Sequence, residues 1–232
     1  MVFDLVAGRV VVERRPRQTF RSASLVKILV ALDYMREHRV SADDRALMRD
    51  MLRSSDDRAA TELWRRGGQK EIIERMVPRV GLRETAPPPA DRPGFWGYTA
   101  LSARDVVRTY RYLLEEAPEA HREFVLEQLR ESTPCGTDGF DQTFGIPRAV
   151  GRPWAVKQGW SGFGDAPAGR FRGAQPAAWQ PDLGLGRPVL HTTGLVGERK
   201  IVVVLTLHPA GTSFRRAAER ITALTEQVHR AG

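Results

Sequence analysis

The sequence TFRSASLVKILVAL at residues 19–32 places a single lysine inside a run of mostly apolar residues. Apolar side chains recur there at helical spacing, at Leu25, Ile28, Leu29, Leu32 and Met35. Further apolar residues at positions 26, 30 and 31 fill most of the remaining circumference. The pattern therefore predicts a helix that is buried on nearly all sides. Because a buried ammonium is costly unless it is paired or loses its proton, Lys27 needs an explanation.

Ser24 lies three residues before Lys27, which places both side chains on one helical face, with the serine in the first turn. This spacing is typical of a serine nucleophile activated by a neighbouring amine. Only four of the 36 Lys and Arg residues are lysines, and arginine cannot release its proton in a protein, so a lysine here favours a role as a base. In the structural alternative, Ser24 caps the helix and the head of Lys27 reaches solvent.

The chain has 232 residues, enough for one domain or two interlocked lobes. Its composition, 41% hydrophobic and 28% charged, is typical of a soluble globular protein. We find no apolar run long enough for a transmembrane segment, and the opening residues MVFDLVAGRVVVERR predict a strand pair rather than a signal peptide. A leader upstream stays an open alternative, so the localisation is undetermined. Cys135 is the single cysteine, which excludes an internal disulfide.

The net charge of +8 and the pI near 10.3 suggest a nucleic-acid partner. Arg and Glu alternate, however, along expected helices such as RTYRYLLEEAPEAHREFVLEQLRE at 108–131, and no basic cluster is interleaved with stacking aromatics. We therefore predict an arginine-rich solvated surface and no nucleic-acid partner. The five histidines occur in no metal-ligand spacing, which predicts that no metal is bound.

The hydrophobic periodicity predicts strands at both ends of the chain and helices between them. A hairpin is expected over residues 2–13, strands in PWAVKQGW, RPVLHTTGLV and RKIVVVLTLHP, and a final amphipathic helix from Phe214 to Val228. Helices are predicted over 42–53 and 58–68, after an N-cap at Ser102, and over 118–130. This order indicates an α+β fold with an antiparallel sheet from 1–20 and 150–232 and an inserted helical lobe over 21–149. The Gly- and Pro-rich connection over 161–187 is expected to border a site.

Three short motifs stand in order along the chain: SLVK at 24–27, SDD at 55–57 and KQG at 157–159. The set resembles the class A β-lactamase and penicillin-binding protein superfamily, whose pattern is S-x-x-K, S-D-N and K-T-G. The resemblance covers nearly the whole chain, from the opening VFDLVAG through the helical insertion to the closing strand pair and final helix. It implies a single β-lactamase-like domain.

The resemblance also implies a role for each residue in the motifs. Ser24 would be the acyl-accepting nucleophile and Lys27 its base, Ser55 would relay a proton to the leaving group, and Lys157 would supply positive charge beside it. Asp57, Gln158, Gly159 and Trp160 would bind substrate. The backbone N–H groups of Ser24 and Trp160 would form the oxyanion hole.

Two motif positions depart from the family pattern. Asp57 stands where the family has asparagine, which removes an amide donor and adds a carboxylate. Gln158 replaces the threonine whose hydroxyl helps to hold the substrate carboxylate. The E-x-x-L-N sequence that supplies the deacylating glutamate of the β-lactamases is absent from residues 81–101, where Glu84 and Asp91 are the acids. Penicillin itself is therefore not the expected substrate.

We predict a serine hydrolase that acts through an acyl-enzyme on an amide, peptide or ester, without a metal or organic cofactor, as a monomer. The alternatives within the enzyme class are a true β-lactamase and a D-alanyl-D-alanine peptidase. From a different class, the chain could be a catalytically decayed module that binds wall peptide or a protein partner. The resemblance suggests an exported or cell-envelope protein if a leader precedes the chain.

Overall fold

The computed structural model describes residues 1–164 and 183–232. The described strands are β1 (Val2–Asp4), β2 (Arg9–Val12), β3 (Thr19–Arg21), β4 (Ala100–Ser102), β5 (Trp154–Ser161), β6 (Val189–Val196) and β7 (Lys200–Leu207). Five of them form one antiparallel sheet in the order β2-β1-β7-β6-β5, and β3 pairs with β4 in a separate two-stranded sheet. Strands from the two ends of the chain thus build the main sheet, with β5 at one of its edges.

The predicted hairpins are present in the main sheet. β1 pairs with β2, and β6 pairs with β7 along its full length, with Gly197 at the turn at a φ of +58°. The apolar residues of KIVVVLTL have the β-branched character that a pleated, buried surface favours. β5 pairs with β6 in continuous register from Trp154↔Val196 to Ser161↔Val189, which fixes where the KQG residues lie.

The helices are α1 (Lys27–Glu37), α2 (Ala42–Arg53), α3 (Asp57–Arg66), α4 (Lys70–Val80), α5 (Ala103–Glu115), α6 (Glu119–Arg130), α7 (Ile146–Ala149) and α8 (Phe214–Ala231). Two 3₁₀ turns are formed by Ala23–Val26 and Trp96–Tyr98. Ser102 accepts from the backbone N–H of Asp105, which confirms the predicted N-cap of α5. Among the described helices, none is both long and apolar enough to span a membrane.

Helix α1 lies at the centre of the larger hydrophobic core, where residues 27–35 are all buried. This core joins α1 to helices of the insertion and to one face of the main sheet. A second core lies between the other face of the sheet and the helices α7 and α8. The run of apolar residues around Lys27 therefore forms the buried helix that it predicts.

The α+β fold with an antiparallel sheet and an inserted helical region is confirmed. The sequence patterns missed β3 and β4, which have three residues each, the four-residue α7, and α4, which carries Pro78 near its end. The lobe boundaries at 20/21 and 149/150 remain a prediction, and the first of them falls inside β3. Most of the Gly- and Pro-rich connection predicted over 161–187 lies outside the described residues.

Candidate active site

Ser24 lies in the 3₁₀ turn that leads into α1, directly after Ala23, whose φ is +46°. Such a backbone angle is uncommon for a residue other than glycine, so surrounding structure must hold the turn in place. The Ser24 side chain is 5% exposed and lines a cavity of about 240 Å³. Among the described residues its hydroxyl has no hydrogen-bond partner, so it caps no helix and stays free to meet a ligand.

Lys27 is completely buried and does not reach solvent. Its Nζ donates to the backbone oxygen of Ser55 at 2.7 Å and to Asp57 Oδ1 at 2.7 Å, and lies 3.3 Å from Ser55 Oγ. The same nitrogen lies 4.6 Å from the centroid of the Trp96 ring. The amine is therefore held by the SDD segment and an aromatic face rather than by Ser24.

Lys157 is the second buried lysine of the site, with 1% of its surface exposed. Its Nζ donates to Ser55 Oγ at 2.8 Å. Ser55 itself has a φ of +54° and lies between the end of α2 and the start of α3. The strained backbone at Ser55 thus brings one hydroxyl to two lysine amines, one from α1 and one from the edge strand β5.

Burial lowers the pKa of both lysines. Desolvation is the largest cause for Lys27, and the neighbouring carboxylate of Asp57 partly offsets it. Desolvation also depresses the pKa of Lys157 well below its ordinary value, and repulsion from Lys27 lowers it further. Both amines are consequently easier to deprotonate than a lysine in water.

Two carboxylates border the cavity. Asp57 pairs with Lys27, although its own side chain is 66% exposed. Asp138, which lies in none of the three sequence motifs, accepts from the indole N–H of Trp160 at 2.8 Å. The loop that carries it is tied to the end of α2, since the Thr137 N–H donates to the backbone oxygen of Ser54 at 2.9 Å.

Alternation along β5 sends the side chains of Lys157 and Gln158 to opposite faces of the sheet. The Gln158 amide is buried away from the cavity and donates to the backbone oxygens of Gln142, at 3.0 Å, and Phe144. Gln158 does not line the cavity beside Ser24, so the geometry does not support the substrate contact predicted for it. Trp160 does line this cavity.

Gly159 brings the edge strand β5 against the turn that holds Ser24. A Cβ at this position would lie 3.2 Å from the backbone oxygen of Ser22 and 3.3 Å from the backbone nitrogen of Ser24. Any residue other than glycine at this position would force β5 and the Ser24 turn to move apart. The backbone of β5 therefore lies beside the Ser24 N–H, the arrangement that the predicted oxyanion hole requires.

The acids of the 81–101 segment lie away from Ser24. Glu84 accepts from the Ser102 hydroxyl at 3.1 Å and lies 3.9 Å from Arg17, beside the start of α5. The Asp91 side chain is 76% exposed, and neither acid lines the cavity. In the described ranges we also find no group of three or more His, Cys, Asp or Glu residues that could hold a metal ion.

A larger cavity of about 630 Å³ adjoins the first one. The two share Tyr98, Phe140 and residues 161–163. Of these two cavities, the smaller one is the one that Ser24 lines.

The structure is similar to solved class A β-lactamases over the full chain. A class A β-lactamase from Mycobacterium abscessus superposes with a TM-score of 0.69 at 17% identity, covering 99% of this chain and 91% of that one. An ancestral class A β-lactamase gives the same TM-score at 16% identity, covering 100% and 92%. The chain therefore has the β-lactamase-like fold that its motifs predict.

The sequence is also 33% identical over 228 residues to proteins from Mycobacterium tuberculosis and Mycobacterium bovis that carry the name "Putative lipoprotein LppW". The match covers 93% of this chain and 65% of those proteins, so the chain spans about two thirds of their length. No protein-family model matches the chain.

Proposed function

We propose that the protein is a serine hydrolase that forms an acyl-enzyme at Ser24 and acts on an ester, amide or peptide. The observation that carries this proposal is the position of Ser24. The residue is 5% exposed, its hydroxyl has no partner among the described residues, and it lines a cavity one turn before a buried lysine. The same fold in solved class A β-lactamases supports the proposal.

In the proposed reaction, Lys27 in its neutral form takes the proton of Ser24 Oγ as this oxygen attacks the acyl carbon. The oxyanion that develops is stabilised by the backbone N–H groups of Ser24 and Trp160, each such donor being worth roughly 3 kcal/mol in the transition state. Burial favours the neutral amine of Lys27, and Asp57 opposes it. Asp57 therefore helps to set the pH at which the base works.

Ser55 is proposed to return a proton to the leaving group. Its hydroxyl proton passes to the departing oxygen or nitrogen and is replaced from the amine of Lys157 or Lys27, which lie 2.8 and 3.3 Å from Ser55 Oγ. Two amines on one hydroxyl provide a short proton path between the base and the leaving group. Lys157 also adds positive charge behind Ser55.

Water attack on the acyl-enzyme is supported by fewer of the described side chains than the formation of the acyl-enzyme. Neither Glu84 nor Asp91 lines the cavity. Of the two carboxylates that do, Asp57 is paired with Lys27 and Asp138 accepts from the Trp160 indole, so we assign the activation of water to Lys27. We therefore propose fast acylation and slow deacylation for β-lactams, and faster turnover for small esters whose acyl group leaves room for water.

Labelling with a fluorophosphonate, followed by intact-protein mass spectrometry, tests the proposal. The wild type and Ser132→Ala, a loop variant outside the site, should each gain one adduct, and Ser24→Ala should gain none. Lys27→Arg should label at least two orders of magnitude more slowly, because general-base help contributes roughly 10²- to 10⁴-fold and arginine cannot provide it. Labelling of folded Ser24→Ala would refute the assignment.

The second candidate is a non-catalytic module that binds wall peptide or a partner. The ion pair of Lys27 with Asp57 at 2.7 Å favours it, because a protonated lysine is no base. An inert Ser24 in a protein that still binds a peptide in this cavity would establish that alternative. For either function we propose a cell-envelope setting, supported by the lipoprotein name of the relatives.

A further inference from the structure

The cavity beside Ser24 is aromatic and acidic, although the chain as a whole has a net charge of +8. Its described lining includes five aromatic residues: Trp96, Tyr98, Phe140, Trp160 and Phe163. The charged residues in that lining are Asp57 and Asp138, with no lysine or arginine among the described lining residues. In a chain with 36 Lys and Arg residues, this is an unusual local environment.

The two carboxylates differ in their hydrogen-bond donors. Asp57 accepts from the amine of Lys27 at 2.7 Å. Asp138 accepts only neutral donors among the described residues, the Trp160 indole at 2.8 Å and the backbone N–H of Phe140 at 3.2 Å. Asp138 therefore forms no ion pair among the described residues, although its charge raises the pKa of both Lys27 and Lys157 beneath the cavity.

Asp138 and the Trp160 ring are held together by close packing. A Cβ on Gly136 would lie 2.7 Å from Asp138 Oδ1 and 2.8 Å from a ring carbon of Trp160. The loop thus contacts the indole through its backbone, and the indole in turn donates to the carboxylate. The carboxylate and the aromatic face are positioned before a ligand arrives.

Ser24 adds a polar group without a partner among the described residues to the lining of the same cavity. Its side chain is 5% exposed, and its hydroxyl lacks a partner among the described residues while it lines the same cavity. A molecule held between Asp138 and the aromatic rings would therefore lie next to a free hydroxyl group.

From this arrangement we infer that the cavity selects acyl substrates that carry an ammonium group, held by Asp138 and the aromatic faces, and disfavours substrates that carry a carboxylate. Cations bind over aromatic rings because the ring faces are negative, and a neighbouring carboxylate adds to the attraction. The inference rests on the proposed function, since it assigns the substrate class of the same site.

Three p-nitrophenyl esters of matched size test the inference: γ-trimethylammoniobutyrate, its neutral tert-butyl isostere and the hemiglutarate, which carries a carboxylate. Each kcat/KM is divided by the rate constant of uncatalysed hydrolysis. In the wild type, this corrected kcat/KM should be about tenfold higher for the cationic ester than for the neutral one, and higher for the neutral ester than for the anionic one. Asp138→Asn should remove most of the cationic preference, measured as the ratio of kcat/KM for the cationic ester to kcat/KM for the neutral one. Asp43→Asn, an exposed carboxylate in the first turn of α2, controls for net charge.

A binding measurement separates this inference from the proposed function. In Ser24→Ala, choline should quench tryptophan fluorescence at about tenfold lower concentration than its neutral tert-butyl isostere, and Asp138→Asn in that background should abolish the difference. Equal binding of the two, or an ester preference that survives Asp138→Asn, overturns the inference while hydrolysis stands. Selective choline binding without any ester turnover would instead reject the hydrolase and retain the cation site.

Discussion

Replacing Asp57 by asparagine should shift the pH dependence of acylation toward lower pH. Asp57 Oδ1 accepts from Lys27 Nζ at 2.7 Å, and this carboxylate stabilises the protonated amine. Asparagine keeps the shape and an acceptor oxygen but removes the charge. The pKa of Lys27, already lowered by burial, should fall further, so the neutral base forms at lower pH.

The structure limits the size of this shift. Two unit charges at this distance interact by roughly 1.5 kcal/mol in a water-like dielectric, which corresponds to about one pH unit. A low dielectric would make the effect larger, but the Asp57 side chain is 66% exposed and therefore screened. We expect a shift of about one to two pH units, within the range known for opposite charges in contact.

The assay is the second-order rate constant for acylation of Ser24 by a fluorophosphonate, measured from acidic to alkaline pH. The rising limb in Asp57→Asn should lie about one to two units below that of the wild type, and Asp43→Asn should follow the wild type. An unshifted limb would mean that the titrating base is a group other than Lys27.

Three further expectations follow from the site. Gly159→Ala should lower the acylation rate by roughly tenfold to a hundredfold, since its Cβ would push β5 away from Ser24. Gly151→Ala, where a Cβ meets open space, is the control. Equal acylation rates in Gly159→Ala and the wild type would refute the close approach. Lys157→Met should slow proton transfer to the leaving group, because one of the two amines at Ser55 is lost. Since the folded pKa of Lys157 lies below the unfolded value, the unfolded chain binds more protons and wild-type stability should rise with pH. This substitution should flatten that rise in chemical denaturation, and an unchanged pH dependence would contradict the burial of a titrating amine. A chromogenic cephalosporin that reacts at all should show a burst of about one product per enzyme and then slow turnover, and burst-free rapid hydrolysis would mean that an efficient deacylating base exists.

The sequence predicted the long, strongly periodic elements well, because their hydrophobic pattern is set by burial in one core. The buried α1 helix and the β6-β7 hairpin are examples. Strands β3 and β4 have three residues each and carry too little periodicity to recognise. Helix α4 was missed because Pro78 argues against a helix, although proline near the end of a helix breaks few of its hydrogen bonds.

The candidate site was predictable where spacing along one helix or strand determines it. Ser24 and Lys27 share a turn, and the register of β5 places Lys157 toward Ser55. The role predicted for Gln158 came from the resemblance, whereas the structure places its amide against the backbone oxygens of Gln142 and Phe144. Asp138 gave no such signal, because its position depends on a tertiary contact between its loop and Trp160.

The pairing of Lys27 with Asp57 was also beyond the sequence pattern. The motif comparison showed a carboxylate in place of an amide, but not which cation it would meet. The 2.7 Å contact arises because the positive φ of Ser55 turns the SDD segment toward α1.

The most direct measurement is to trap the acyl-enzyme from a p-nitrophenyl ester during turnover by acid quenching, and to map it by tandem mass spectrometry. Trypsin releases Ser24 in the peptide SASLVK, residues 22–27, and its fragment ions separate Ser24 from Ser22. We predict that the acyl group lies on Ser24, and that Ser24→Ala gives neither adduct nor turnover. Turnover without a covalent intermediate, or an acyl group on another residue, would contradict the account.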